Sequence, residues 1–306
     1  MEKKYAIGID VGGSALKCGV VNNTGDIVHT FLQPLNNAGN EETVISLIRD
    51  AIIRCATFAG NDVAGVGIGF PGIVDNNVII GGADNLPGFE NMRLGELLQQ
   101  QTGHNIVIDN DANMMGFGEL MYGAAKGCDD IVFLTVGTGI GGALVFNKKL
   151  YGGYKNRGAE LGHMIIQQNG ATCSCGTKGC LEAYASIPAL INFYCNLTGA
   201  IDNTGVDGKL IVKEYLQNNV SAVEAMQQHF KYLAVGIASY INVFSPQKVI
   251  IGGGISEGGD FYIKEINARA QQLAMAATRK NTTITAASLG NKAGLLGCAA
   301  QAFNLP

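Results

Sequence analysis

Gly137-Thr138-Gly139-Ile140-Gly141-Gly142-Ala143-Leu144-Val145-Phe146 is the stretch whose reading decides the fold. Glycines at 137, 139 and 142 satisfy the G-x-G-x-x-G spacing of dinucleotide-binding folds, but that reading requires a helix after the turn. Ala143 to Phe146 is apolar and β-prone, so the glycines join two strands, the first spanning 131–136. Nicotinamide binding loses on this point. A glycine hairpin still presents backbone N–H groups to a phosphate, because no side chain obstructs the approach.

The same grammar opens the chain. Residues 5–33 read as strand, glycine turn at Asp10-Val11-Gly12-Gly13-Ser14, strand, turn at Asn22-Asn23-Thr24-Gly25, and strand, an antiparallel meander. Helical spacing over 41–59 puts Val44, Leu47, Ile48 and Ile52 on one face. A buried strand over 63–70 is ended by Pro71-Gly72, a short helix covers 94–101, and strand 106–108 runs into Asp109-Asn110-Asp111. A helix follows over roughly 112–122. Beyond the hairpin, a long helix over 223–244 precedes strand Lys248-Val249-Ile250-Ile251 and a third glycine turn, Gly252-Gly253-Gly254. A terminal helix lies near 292–303. Each half therefore opens with strand, glycine turn, strand, which reads as a duplicated α/β unit without a residue-level repeat. The expected division is a small α/β lobe of residues 1–111 plus 290–306 and a larger lobe of 112–289.

Composition narrows the class. The chain has 306 residues, 47% hydrophobic and 15% charged, without a run of about 20 apolar residues, so a globular protein with no membrane span is expected. A net charge of −4 and no Lys/Arg block remove the electrostatic footprint of generic nucleic-acid binding. Met1-Glu2-Lys3-Lys4 leads straight into a strand with no signal peptide, so a cytoplasmic setting is expected. Of eight cysteines, Cys18, Cys55, Cys128, Cys195 and Cys298 sit among apolar neighbours and read as reduced core residues.

The other three form the most specific motif. His163 with Cys173, Cys175 and Cys180 supplies three thiols and an imidazole within eighteen positions, enough to close a tetrahedral zinc shell. Four protein ligands leave no open position, so the metal is expected to be structural. Glu160 and Glu182 bracket the cluster and, with nearby amides, suit a polyol whose hydroxyls need paired acceptors. Asp109-Asn110-Asp111 closes a buried strand, and two readings stand there. Asn110 or Asp111 caps the next helix, or Asp111 takes a proton from a substrate hydroxyl as general base. Asp10 could meet a magnesium ion and Lys17 a phosphate, while Asn85 reads as a turn residue with a polar tip.

These residues resemble the ROK family of sugar kinases and sugar-responsive regulators. Asp10 to Ser14 resembles the family's first phosphate motif, where threonine is commoner than Ser14; Asn110-Asp111-Ala112-Asn113 resembles its catalytic motif, and Thr135 to Gly142 its second phosphate motif. Glu160-Leu161-Gly162-His163 with Cys173 to Glu182 is similar to its zinc signature, and Val249 to Gly254 to its adenosine motif. The resemblance implies a two-lobed, actin-like and ribonuclease H-like ATPase fold with a cleft between lobes, taking ATP, Mg2+ and a hexose. It implies Asp111 as the base acting on the sugar 6-hydroxyl, with Gly72, Asn85, Asn110, Glu160, His163 and Glu182 around the sugar. Asp10, Gly12, Gly13, Ser14, Lys17, Gly137, Thr138, Gly139, Gly141, Gly253 and Gly254 would surround ATP and its phosphates. Ala159 stands where a glycine is frequent, and Phe89 where tryptophan is often seen. Glucose is the first-choice substrate and N-acetylmannosamine the alternative. A sugar-sensing repressor is the rival reading, set back by the absence of room for a helix-turn-helix before Tyr5. A homodimer or homotetramer is the family-level expectation.

Overall fold

The computed structural model describes residues 4–35, 40–83, 86–200 and 204–305. The opening meander is present as β1 (Tyr5–Val11), β2 (Ala15–Asn22) and β3 (Ile27–Pro34). Helix α1 (Glu41–Ala59) starts at Asn40, whose side chain accepts from the Thr43 N–H, and buries Val44, Ile48, Ile52 and Cys55 along one stripe. Then come β4 (Val63–Phe70), the small hairpin β5 (Ile73–Asp75) and β6 (Val78–Gly81), α2 (Leu94–Thr102), β7 (Ile106–Asn110) and α3 (Asp111–Tyr122). The second series is β8 (Ile131–Val136), β9 (Ile140–Phe146), β10 (Lys149–Leu150), α4 (Glu182–Ala185), α5 (Ile187–Thr198), α6 (Gly208–Leu216) and α7 (Val220–Phe244). It ends with β11 (Lys248–Gly252), α8 (Asp260–Leu273), α9 (Ala276–Arg279), β12 (Thr283–Ala286) and α10 (Ala293–Phe303). A strand, not a helix, follows the 137–139 turn, as the β-prone run requires.

Two five-stranded sheets result, ordered β3-β2-β1-β4-β7 and β10-β9-β8-β11-β12. In the first, β1, β2 and β3 pair antiparallel while β1, β4 and β7 run parallel. In the second, β8, β11 and β12 run parallel and β9 pairs antiparallel with β10. A hairpin edge beside a parallel centre, built twice, is the ribonuclease H-like arrangement of the actin-like fold. Site residues in such sheets gather at the C-terminal ends of the parallel strands, where Asp10 and Asn110 lie.

Packing divides the chain into two units, Met1–Gly127 with Ala143–Ala159 and Asn291–Pro306, and Cys128–Gly142 with Glu160–Gly290. The sequence expectation placed the boundary at 111/112, ahead of α3. In the structure α3 stays in the first unit because it lies directly on α10: a Cβ on Gly297 would come 1.7 Å from the Met114 carbonyl oxygen. The same closeness lets α10 lie flat on the sheet, since a Cβ on Gly67 would come 1.8 Å from the Cys298 carbonyl oxygen. α1 and α2 contribute Ile48, Ile52 and Leu98 to a core shared with Ile7, Ile9 and Ile68 of the same unit. In the second unit α7 buries Met226, Phe230, Leu233, Ile237 and Ile241, spaced three and four apart. All eight cysteines are free thiols, and the five outside the cluster are buried as expected. Among the described residues no helix is long and apolar enough to cross a membrane.

Candidate functional site

In the first unit, the side chains of the β7–α3 junction divide their duties. Asn110 is the N-cap of α3: its side-chain oxygen accepts from the Ala112 and Asn113 N–H groups at 2.9 and 3.2 Å. Its amide nitrogen donates to the Gly72 carbonyl at 2.9 Å. Capping therefore falls to Asn110, and Asp111 becomes the first helical residue, its Oδ1 also accepting from the Ala112 N–H at 2.9 Å. The N-terminal end of α3 favours the negative charge placed there. Asp109 is held from beneath by the Asn110 N–H and the side-chain amides of Asn113 and Asn156. Burial nevertheless pushes its carboxyl above the usual carboxylate range. Gly72 is required at the end of β4, because its φ of 92° is left-handed and a Cβ would come 2.4 Å from the Gly81 carbonyl oxygen. Asn85 lies outside the described residues.

The β1–β2 register sets Asp10 opposite Lys17, and the two side chains pair at 3.1 Å. Lys17 is thus engaged by Asp10 rather than projecting from the turn. The Asp10 carboxylate sits over the first turn of α10, where a Cβ on Gly294 would approach its Cγ to 2.8 Å. The Gly12 N–H closes the turn on the Ala15 carbonyl at 3.0 Å, leaving Gly13 and Ser14 exposed at its tip.

In the second unit, Ile140 is the point where three segments meet. The Gly137 N–H donates to the Gly139 carbonyl at 2.9 Å to close the β8–β9 turn, whose tip at Thr138 is exposed, and Gly141 continues into β9. The Ile140 N–H donates to Glu182 Oε2 at 2.8 Å, while Glu182 Oε1 accepts from the Ser174 hydroxyl at 3.0 Å. A Cβ on Gly162 would come 2.0 Å from the Ile140 carbonyl oxygen, so the turn carrying Glu160 and His163 lies against the same hairpin. Tyr240 of α7 fixes that turn by donating its hydroxyl to the Leu161 carbonyl. Glu160 itself is exposed.

His163, Cys173, Cys175 and Cys180 bring their four ligand atoms within 4.8 Å of one another. Zn–S bonds of about 2.3 Å and Zn–N bonds of about 2.0 Å in a tetrahedron place S···S near 3.8 Å and S···N near 3.5 Å. The Cys175–Cys180 sulfur separation is 3.7 Å, and Cys173 Sγ lies 3.6 Å from His163 Nδ1. This donor set fits zinc. Gly176 and Gly179, with φ of 88° and 85°, bend the loop that assembles it. Hydrogen bonds from Thr177 lower the Cys175 thiol to about 6, towards the thiolate a metal takes.

Beside the hairpin, also in the second unit, a cavity of about 610 Å³ is lined by Gly137, Gly254, Ile187, Val212 and Ile255, with Lys209 and Lys213 of α6. The Ile187 N–H donates to the Gly137 carbonyl at 2.9 Å, which locks the start of α5 to the glycine turn. Gly253 has φ of 95°, and a Cβ there would come 2.0 Å from the Val136 carbonyl oxygen, so the third glycine turn also borders β8. The α6 walls and Asn156 were absent from the sequence expectation. For Asn156 the available signal was its bracket of glycines at 152, 153 and 158: it adopts φ of 53° and a Cβ on Gly152 would overlap its side chain.

A model of the ROK family matches residues 6–304. The chain is 34% identical to the glucokinase of Thermotoga maritima over 312 positions, which span 98% of this chain and 97% of that protein. It is 29% identical to the xylose repressor of Bacillus subtilis, across 96% of this chain and 75% of the repressor. A ROK family glucokinase from Streptomyces griseus, solved in complex with glucose and AMPPNP, aligns with a TM-score of 0.82 at 30% identity, covering 98% of this chain and 100% of that one. With its doubled sheet order, its glycine turns and a family match from the first strand to the last helix, the chain belongs to the ROK family.

Proposed function

We propose that this protein is an ATP-dependent hexose kinase that phosphorylates the 6-hydroxyl of glucose. The observation that carries the reading is the division of labour at the head of α3, where Asn110 takes the cap and Asp111 presents a carboxylate from the first helical turn. Full-length likeness to glucokinases supports the same activity.

In this reading the Asp111 carboxylate accepts the proton of the sugar 6-hydroxyl as its oxygen attacks the γ-phosphorus. The bond from that phosphorus to the β–γ bridging oxygen breaks, and ADP leaves. Gly72, Asn85, Asn110, Glu160, His163 and Glu182 are assigned to the remaining hydroxyls. Glu182 suits such a role because the Ile140 N–H and the Ser174 hydroxyl fix its carboxylate from two sides. The glycine turns at 12–14 and 137–141 are assigned to the phosphates, and the cavity between Gly137 and Gly254 to the nucleoside, whose base would meet Ile187, Val212 and Ile255. Magnesium bound with ATP would neutralise phosphate charge, and Asp10, just before the first glycine turn, would meet the ion or its waters. His163, Cys173, Cys175 and Cys180 would hold a structural zinc, which would stiffen the loop bearing Ser174 and Glu182. Reduced thiols and ATP use fit a cytoplasmic setting, and a homodimer or homotetramer belongs to the same proposal.

A coupled assay of ADP release across glucose, N-acetylmannosamine, N-acetylglucosamine, fructose and allose tests the activity, with polyphosphate as a second donor. Fastest turnover on glucose is expected. Preference for N-acetylmannosamine would move the substrate assignment, and binding of sugars without any ADP release would favour a sugar-sensing regulator.

A further inference from the structure

A second concavity lies wholly within the first unit, at the opposite end of α3 from Asp111. It has a volume of about 760 Å³ and is bordered by the C-terminal ends of four helices, at Gly60 after α1, Gly103 after α2, Tyr122 in α3 and Asn304 after α10. None of the four helices carries a basic residue in its last turn. Each helix C-terminus contributes about −0.5 of an elementary charge through its carbonyls, so an anion is disfavoured here and hydrogen-bond donors are wanted.

The side chains lining it point to a specific chemistry. Asn23, Asn105 and Asn304, all exposed, present amides, and half-buried Tyr122 a phenol; none has a side-chain hydrogen bond to another described residue. Among the described residues no Lys, Arg, Asp or Glu lines the site, and its other polar side chains are Asn61 and His104. An amide offers donors and acceptors together. A hydroxyl answers both, whereas an ammonium group would leave the amide N–H groups unpaired. The rings of Tyr122 and Phe303 supply apolar faces against which the C–H side of a sugar can pack.

The wall is built in advance. Asn22 Oδ1 accepts from the Thr24 and Asp26 N–H groups at 3.1 and 2.8 Å, which fixes the β2–β3 turn. Gly25 in that turn has φ of 91° and lies so close to the Tyr122 ring that a Cβ would come 2.3 Å from Cδ1. The backbone at Asn23 and the Tyr122 ring are therefore held in register before any ligand arrives.

We infer that this concavity binds a neutral polyhydroxylated molecule, a free sugar or sugar alcohol rather than a sugar phosphate. The ligand would grip α3 by its C-terminal end, eleven residues from the carboxylate at its head.

Hydrogen–deuterium exchange of the full chain tests this, with glucose, sorbitol and glucose 6-phosphate as separate probes at about 50 mM. Glucose and sorbitol should each slow exchange of segments 60–64, 103–105 and 300–305 by about threefold or more, and glucose 6-phosphate should leave them unchanged. Asn105→Phe fills the concavity and should abolish the slowing without altering turnover on ATP and glucose. Asn304→Leu, at an exposed position, should weaken it and covers the case in which the first variant does not fold. No slowing with either neutral probe, equal slowing in both variants, or equal slowing by glucose 6-phosphate overturns the inference.

Discussion

Replacing Gly139 with alanine separates the placement of Glu182 from the integrity of the fold. A Cβ at 139 would lie 2.5 Å from Glu182 Oε2 and 3.3 Å from its Cδ, and it meets no backbone atom within 4 Å. Side-chain contacts of this kind do not settle below about 3.0 Å, so the carboxylate must retreat by roughly half an ångström or more. The atom that moves is the end of a flexible side chain, and the backbone of the hairpin need not follow. The retreat stretches the 2.8 Å hydrogen bond from the Ile140 N–H. Bonds from neutral donors to a charged group contribute about 1.5–3 kcal/mol, which as lost transition-state binding corresponds to a 10- to 150-fold fall in kcat/KM. Stability should barely change, because alanine also reduces the freedom of the unfolded chain by about 0.4–1 kcal/mol. The assay is ADP release on glucose beside a thermal melt. Unchanged kcat/KM would refute the role of Glu182, and a Tm lowered by about 8 °C or more would show that the hairpin itself had moved.

Other expectations follow from single residues. Ala159 holds φ of 65°, in the left-handed region, so Ala159→Gly should stabilise the protein by about 1 kcal/mol in chemical denaturation. His229 is fully buried with Nδ1 unpartnered, and burial lowers its pKa to about 4. The unfolded chain takes up that proton near pH 6.5 and the folded chain only near pH 4, so stability should fall across this window as pH drops, by on the order of 3 kcal/mol. His229→Gln should flatten that limb of the pH–stability curve. Metal analysis should give one zinc per chain, and its removal by chelation should expose residues 170–182 to limited proteolysis and abolish turnover, through the loss of order around Ser174 and Glu182.

Much of the fold was legible because its signals are local. The run 143–146 excluded a helix after the glycine turn, and β9 occupies that place. Helix 41–59 followed from one apolar stripe and agrees with α1 at both ends. β5 and β6, three and four residues long, are too short for periodicity to reveal. The choice between Asn110 and Asp111 as cap could not be made from adjacent residues that are both good caps; it depends on where helical geometry begins and on Gly72, which ties down the Asn110 amide from 38 positions away. Asn156 reaches Asp109 across 47 positions, and such a contact has no sequence spacing to read. The α6 walls of the cavity beside the β8–β9 hairpin carry no motif to read, since which face of a helix lines a cavity is set by packing against α5 and the third glycine turn. The ligands of the cluster were legible because cysteine and histidine at workable spacing carry their chemistry in the residue type.

The most direct test of the kinase assignment is turnover of the Asp111→Ala protein on ATP and glucose, measured alongside glucose binding by calorimetry. Loss of a general base should lower kcat by about 100- to 10,000-fold while glucose still binds. Near-wild-type kcat in a folded Asp111→Ala protein would contradict the account, because no carboxylate at the head of α3 would then be needed to take the hydroxyl proton.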